Sequence, residues 1–264
     1  MKHKITLLSV SVFLISTNSF AQKTIEALDI IKDIKKGKSI SINNAIIEGV
    51  LDFTFMERAF EKMPRKKRSS WFNWNSSNSS NENKKMIDVR LSFTNCIFKD
   101  DVLAYIPDED SGYTFTASFE DEAIFRQCTF KGKAMFKYSR FKRNTDFSGT
   151  TFEDDSTFKY AKFDRDINFS NTTFNEEARF KYTRFKNNVS FEDAIFKDTA
   201  IFKYTTFNDG VSFRSSKFEE DLNIKYLKVS GDFNVTNMKV TNDISSKYTR
   251  INGKSFEKYL NYKK

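Results

Sequence analysis

Lys137, Lys159, Lys181, Lys203, Lys225 and Lys247 stand at every twenty-second position, and each is followed by a tyrosine: Tyr138, Tyr160, Tyr182, Tyr204, Tyr226 and Tyr248. Two positions further on, Arg140, Lys162, Arg184, Lys228 and Arg250 repeat in the same way, with Thr206 as the exception. If successive units lie side by side, these residues form a basic stripe edged with phenols. Ammonium groups one strand apart, about 4.8 Å, repel one another, and salt softens that repulsion. Such a stripe suits a linear anion: its positive charge fits carboxylate or phosphate, and tyrosine faces fit sugar rings. A second stripe is acidic, with Asp154, Glu176, Asp198 and Glu220 in one file and Asp155, Glu177 and Asp221 beside it. The same pattern therefore also fits a duplicated unit whose lysine pairs with the acid file and whose tyrosine packs at a corner.

Three other groups of residues bear on chemistry. Arg65, Lys66, Lys67 and Arg68 lead into Trp71, Phe72 and Trp74 and then a Ser/Asn-rich run to Asn83. Exposed aromatic rings beside a basic cluster suit a protein partner or a membrane surface; the alternative is that the rings fold back onto the flank of the molecule. Cys96 and Cys128 each precede a phenylalanine by two positions. We expect both to point inward as small buried thiols, although an exported protein is permitted a disulfide. The only histidine is His3. It lies in the leader described below, which excludes Ser-His-Asp and Cys-His catalysis and histidine metal sites from the remainder. Acid pairs are plentiful, but a charge-rich repeat produces them by chance. We expect no enzyme activity, no cofactor and no metal.

The elements that position these groups follow from phenylalanine. From Phe119 to Phe218 this residue recurs with gaps that alternate six and five, so one six and one five make a unit and two units make a 22-residue coil. Neither a helix nor a free strand has this period. It marks a solenoid, a chain that returns to the same place once per pair of units. Two residues before each phenylalanine sits a small or β-branched side chain, among them Thr145, Ser156, Ala161, Ile167, Ala178, Val189, Ala194 and Val211. Earlier in the chain Ile42, Ile47, Phe53, Phe93 and Phe98 keep the rhythm, and Ile224, Val229, Val235, Val240, Ser246 and Ile251 continue it.

Stretches such as Ala194-Ile195-Phe196-Lys197-Asp198 and Ala178-Arg179-Phe180-Lys181-Tyr182 resemble the pentapeptide-repeat family in a phenylalanine-rich form with five- and six-residue units. The resemblance covers roughly residues 39–251 and departs from the common pattern in using Phe where Leu is usual. It implies an all-β solenoid, a right-handed quadrilateral parallel β-helix, here with 22-residue coils. A three-sided parallel β-helix would not demand an inward anchor at every fifth or sixth residue, and leucine-rich repeats need closer apolar spacing. Some members of the family imitate DNA, which requires an acidic cytoplasmic rod; the charge and the leader of this chain exclude that role and a nucleic-acid partner.

The ends and interruptions complete the outline. Residues 1–21 read as a signal peptide: Lys2 and Lys4, an apolar run from Ile5 to Ile15, and Ser19-Phe20-Ala21 before the cleavage point. That run is too short to span a membrane, and the mature chain shows no transmembrane segment. Gln22 in place of a cysteine argues against a lipid anchor. A capping helix is expected over residues 22–38, with Ile25, Leu28, Ile31 and Ile34 on one face, and a helical cap over 254–264. The repeat, 39–253, is interrupted at about 55–86 and about 100–112. The whole chain carries a net charge of +9, of which Lys2 and Lys4 account for two, and residues 56–86 hold eight basic and three acidic residues. The expectation is an exported, non-catalytic scaffold or interaction module of the bacterial envelope, periplasmic or secreted, that meets an envelope protein or an anionic polysaccharide.

Overall fold

The computed structural model describes residues 22–56, 82–109 and 112–256. Four sheets of nine, ten, eight and eight strands run the length of a single β-helix. One coil shows the plan. Its first side is Arg140–Phe141, its second Thr145–Asp146, its third Thr151–Phe152 and its fourth Ser156–Thr157. The chain then arrives at Lys162–Phe163, directly beside Arg140–Phe141 and parallel to it. Phe119, Phe141, Phe163, Phe185 and Phe207 are successive partners in this ladder, one rung per coil. The coil is thus a right-handed quadrilateral β-helix, the hand that parallel crossovers adopt almost without exception.

The core is a set of phenylalanine columns. Along one column the ring centroids of Phe136 and Phe158 are 5.3 Å apart, those of Phe158 and Phe180 5.0 Å, and those of Phe180 and Phe202 4.8 Å, all nearly parallel. Each ring also meets other columns edge-on: Phe180 touches Phe169, Phe174 and Phe191 at interplanar angles of 83°, 85° and 86°. Stacking along the axis and edge-to-face contact across it are the two geometries aromatic quadrupoles favour. Buried threonines close the polar gaps at two corners: the hydroxyls of Thr172, Thr183 and Thr205 donate to the carbonyls of Phe147, Phe158 and Phe180 at 3.0, 2.7 and 2.6 Å. Cys96 and Cys128 are buried and unbridged. A hydrogen bond from Cys128 brings the Cys96 thiol down to about 7, and the same contact together with burial pushes Cys128 up.

The ends and insertions differ from expectation. The helix is Ala27–Lys35, preceded by a strand, Lys23–Glu26, that pairs in parallel with Ala45–Glu48. Its buried stripe is Ala27, Ile30, Ile31 and Ile34, while Leu28, expected inside, is 58% exposed. A three-residue step had placed Leu28 on a face that the true 3.6-residue helical period carries outward. At the other end Lys254–Ser255 turns back as an antiparallel strand on Arg250–Ile251 instead of starting a helix, and Phe256 is buried beside Phe233. Residues 257–264 lie outside the described residues.

The second interruption starts later than expected. Val102–Leu103 is an ordinary fourth-side strand, paired with both Leu51–Asp52 and Ala134–Met135. Ala104 occupies the rung of Phe136, so the missing ring hid the rung from a count of phenylalanines. The excursion proper is a hairpin, Tyr105–Asp108 against Tyr113–Thr116, whose Phe115 is fully buried. The first interruption also ends sooner, because Glu82–Ile87 pairs in parallel with Thr114–Phe119.

Phe180 has no exposed surface and stacks on both sides. Phe180→Ala is expected to lower stability by about 3–5 kcal/mol in denaturant unfolding. An unchanged unfolding midpoint would contradict the ladder as the source of stability.

Candidate functional site

Two corners of the coil make the same demand on the backbone and meet it with different residues. Between the second and third sides the corner residue has positive φ, and the occupants are Gln127, Gly149, Asn171, Asp193, Ser215 and Asn237, with φ between 52° and 66°. Between the fourth and first sides the equivalent residues are Tyr138, Tyr160, Tyr182, Tyr204, Tyr226 and Tyr248, with φ between 60° and 64°. At every one of these corners except that of Gln127, the residue is the third of a tight turn closed by a backbone bond, such as Thr183 N to Phe180 O at 3.1 Å. Glycine and asparagine accept this left-handed conformation easily. A bulky residue pays roughly 1–2 kcal/mol for it. The backbone therefore explains the first set of residues and does not explain six tyrosines.

What the tyrosines make is a continuous outer column. Neighbouring ring centroids from Tyr138 to Tyr226 lie 4.9, 4.8, 4.7 and 4.5 Å apart with rings within 11° of parallel, and Tyr248 follows at 4.9 Å with a 30° tilt. Each interior ring has two such neighbours, worth about 0.5–1.5 kcal/mol apiece, which roughly offsets its backbone strain. The rings cover one another's faces, so the expected stacking of sugar rings on tyrosine faces is not open to a ligand along the column. Ring edges and hydroxyls are what it presents.

The lysine row lies against the column. Lys137, Lys159, Lys181, Lys203 and Lys247 place their ammonium groups 5.0, 5.3, 5.3, 5.4 and 4.9 Å from the centroid of the next tyrosine. Among the described residues none of these lysines forms an ion pair with a carboxylate. Several acids of the neighbouring files are engaged elsewhere: Asp155 and Glu177 hold Arg179, and Glu220 accepts from Asn242. The pairing of ladder lysines with that file, open from the sequence, is not what the chain adopts. Partial burial and the like charges of Lys137, Lys181 and Arg179 push the Lys159 ammonium below the usual lysine value.

On the other flank of the column is a groove of about 480 Å³, walled by Tyr138, Tyr160 and Tyr182 and by Arg140, Lys162 and Arg184, with Glu82 and Lys84 also lining it. Arg140 donates to Asp164 at 2.5 Å, and Lys186 reaches the same carboxylate at 2.8 Å. Burial opposes the charge of Asp164, yet Arg140 and Lys186 hold its carboxyl below the usual carboxylate range. Lys162 and Arg184 are exposed, and among the described residues neither has a carboxylate partner.

The structure thus brings Lys137, Tyr138, Lys159, Tyr160, Lys181, Tyr182, Lys203 and Tyr204 onto one corner. Arg65, Lys66, Lys67, Arg68, Trp71, Phe72 and Trp74 lie outside the described residues. Sequence spacing missed Tyr105, which extends the ring column 5.8 Å beyond Tyr138 and accepts a 2.8 Å hydrogen bond from Lys137. It also missed Glu82 and Lys84. All three arrive on insertion strands, outside the repeat register that made the others visible.

Residues 115–162 and 158–206 match the family described as pentapeptide repeats, with 9 copies. Residues 115–206 are pentapeptide repeats. The repeat carries most of the tyrosine column and all of Arg140, Lys162 and Arg184 within the matched residues. No curated protein and no solved structure matches the chain. Among the described residues no helix is long and apolar enough to cross a membrane, and no cluster of three or more His, Cys, Asp or Glu side chains is arranged to hold a metal ion.

If strain and stacking nearly cancel at the corner, Tyr182→Asn is expected to change unfolding free energy by less than about 2 kcal/mol. That is well short of the loss at Phe180 two positions away. A loss as large as that of Phe180→Ala would mean that the column is a stability element.

Proposed function

We propose that this pentapeptide-repeat protein is an exported, non-catalytic scaffold of the bacterial cell envelope that binds a linear polyanion, an acidic envelope polysaccharide, along its tyrosine corner. Membership of the repeat family supports a non-catalytic scaffold or interaction module. The leader-like residues 1–21 motivate the assignment to the envelope.

The observation that carries the binding reading is the lysine row without carboxylate partners, held beside a tyrosine column that the backbone does not require. Cations half-buried against rings and against each other gain from a polyanion twice: through direct attraction, and through release of the counterions condensed on it. With ring faces covered, recognition falls to ammonium groups, guanidinium groups and phenol hydroxyls, so affinity is strongly salt-dependent.

The test compares the chain from Gln22 with a variant carrying Lys159→Glu, Lys181→Glu and Lys203→Glu, against an acidic polysaccharide at low salt. Binding is expected to fall at least tenfold. Removing three cations should flatten the slope of log affinity against log salt by about two, as for other linear polyanions. Unchanged binding at low salt would overturn the proposal. Capture of an envelope component that is lost instead on deleting residues 57–81, which leaves the Glu82–Ile87 strand in place, with the lysine variant unaffected, would move the partner site to the basic aromatic segment.

A further inference from the structure

The groove beside the tyrosine column is shorter than the column, which runs on to Tyr248. Its basic wall is Arg140, Lys162 and Arg184, in parallel register on the first side. The next rung in that register is Thr206, and it carries no charge, so the wall stops there. At the opposite end the chain does not turn. Later coils reach the first side through a tight turn such as Phe136–Ser139, whereas Tyr113–Phe119 is one continuous strand paired with Glu82–Ile87. These strands run straight past the corner, and Glu82 and Lys84 stand at the groove's end. Glu82 is held there by the Thr116 hydroxyl, which donates to it at 2.9 Å. Tyr105 lies at the same end, tilted 52° to Tyr138, and so interrupts the parallel stack.

We propose that this groove recognises the end of an acidic polysaccharide chain and not its interior. The inference rests on the polyanion reading above. The rungs are one strand apart, about 4.8 Å, close to the advance of one acidic sugar unit along its chain. Lys162 and Arg184, without a carboxylate partner among the described residues, then meet two successive carboxylates, one to a rung, while Arg140 is held by Asp164. The end lined by Glu82 and Lys84 decides which part of the polymer fits. Glu82 repels the carboxylate of a chain that runs on, and accepts a hydrogen bond from the hydroxyl of a unit that ends there. Lys84 supplies the cation for that last unit. Thr206, the one break in the basic repeat, sets the length of the site at the far side.

The experiment measures binding of oligo-uronates of graded length, and of the long polymer, to the chain from Gln22 at low salt. Affinity is expected to climb with length to about three or four units, one per rung, and then to level off. On the long polymer, saturation should count chains and not mass. Thr206→Arg should shift the plateau to longer oligomers and tighten those by up to about fivefold, the size of one exposed ion pair. Glu82→Gln should let polymer interiors bind, so that the amount of protein taken up per chain increases. Affinity that keeps rising with length, or wild-type saturation proportional to polymer mass, would overturn end recognition while leaving polyanion binding intact. No binding of any uronate would overturn both. Tighter binding of polyglutamate of matched charge would assign the groove to acidic protein segments and overturn the polysaccharide class.

Discussion

Everything in this molecule depends on one constraint: each coil must land in register on the one before it. The strands are only two residues long on most sides, too short to be stable alone. Parallel pairing without slippage needs a reason for each coil to stop in the same place. The phenylalanine columns supply it. A slip of one residue would turn every ring outward and fill the interior with the Lys, Arg and Asn side chains that alternate with them. Because Phe180 stacks on Phe158 and Phe202 and is crossed edge-on by Phe169 and Phe191, register in one column enforces register in the next.

The same constraint that orders the core also replicates the surface. Whatever side chain occupies an outward slot is repeated at one strand spacing, which makes columns of like charge and columns of rings. For most slots the chain varies the residue, as in the corner that runs Gln127, Gly149, Asn171, Asp193, Ser215 and Asn237. The tyrosine corner is not varied, and it holds a bulky residue in a backbone conformation that disfavours it. Its neighbours Lys159, Lys181 and Lys203 are left without a carboxylate among the described residues. A surface with like charges aligned and uncompensated is poised for an oppositely charged polymer, and the insertion strands give that surface an end.

The period of phenylalanine announced a solenoid, the inward slots and the alignment of Lys with Lys and Tyr with Tyr, because each of these follows from counting along one chain. Legibility failed wherever a residue left the count. Ala104 stands on a phenylalanine rung and made a regular coil look interrupted. Tyr105, Glu82 and Lys84 join the site from strands whose separation from it is not a multiple of the repeat. The helix at the N-terminus was visible, but its buried face was misjudged at Leu28, since a cap has no second copy against which to check its phase.

The sequence by itself determined the coil, its core and the files of charge and rings on its outside, since a strict repeat leaves stacked coils no other arrangement that buries every phenylalanine. Only the tertiary structure decided how those files are used. It showed that the tyrosine faces are covered, that Asp155 and Glu177 of the acid files engage Arg179 and not the ladder lysines, and that the open groove lies on the arginine flank, with Glu82 and Lys84 in its lining. The physical reason is the difference in what each level fixes. A repeat specifies which residues share a column, while the direction of each side chain is set by the turn it sits on and by the neighbours that reach it from elsewhere in the chain.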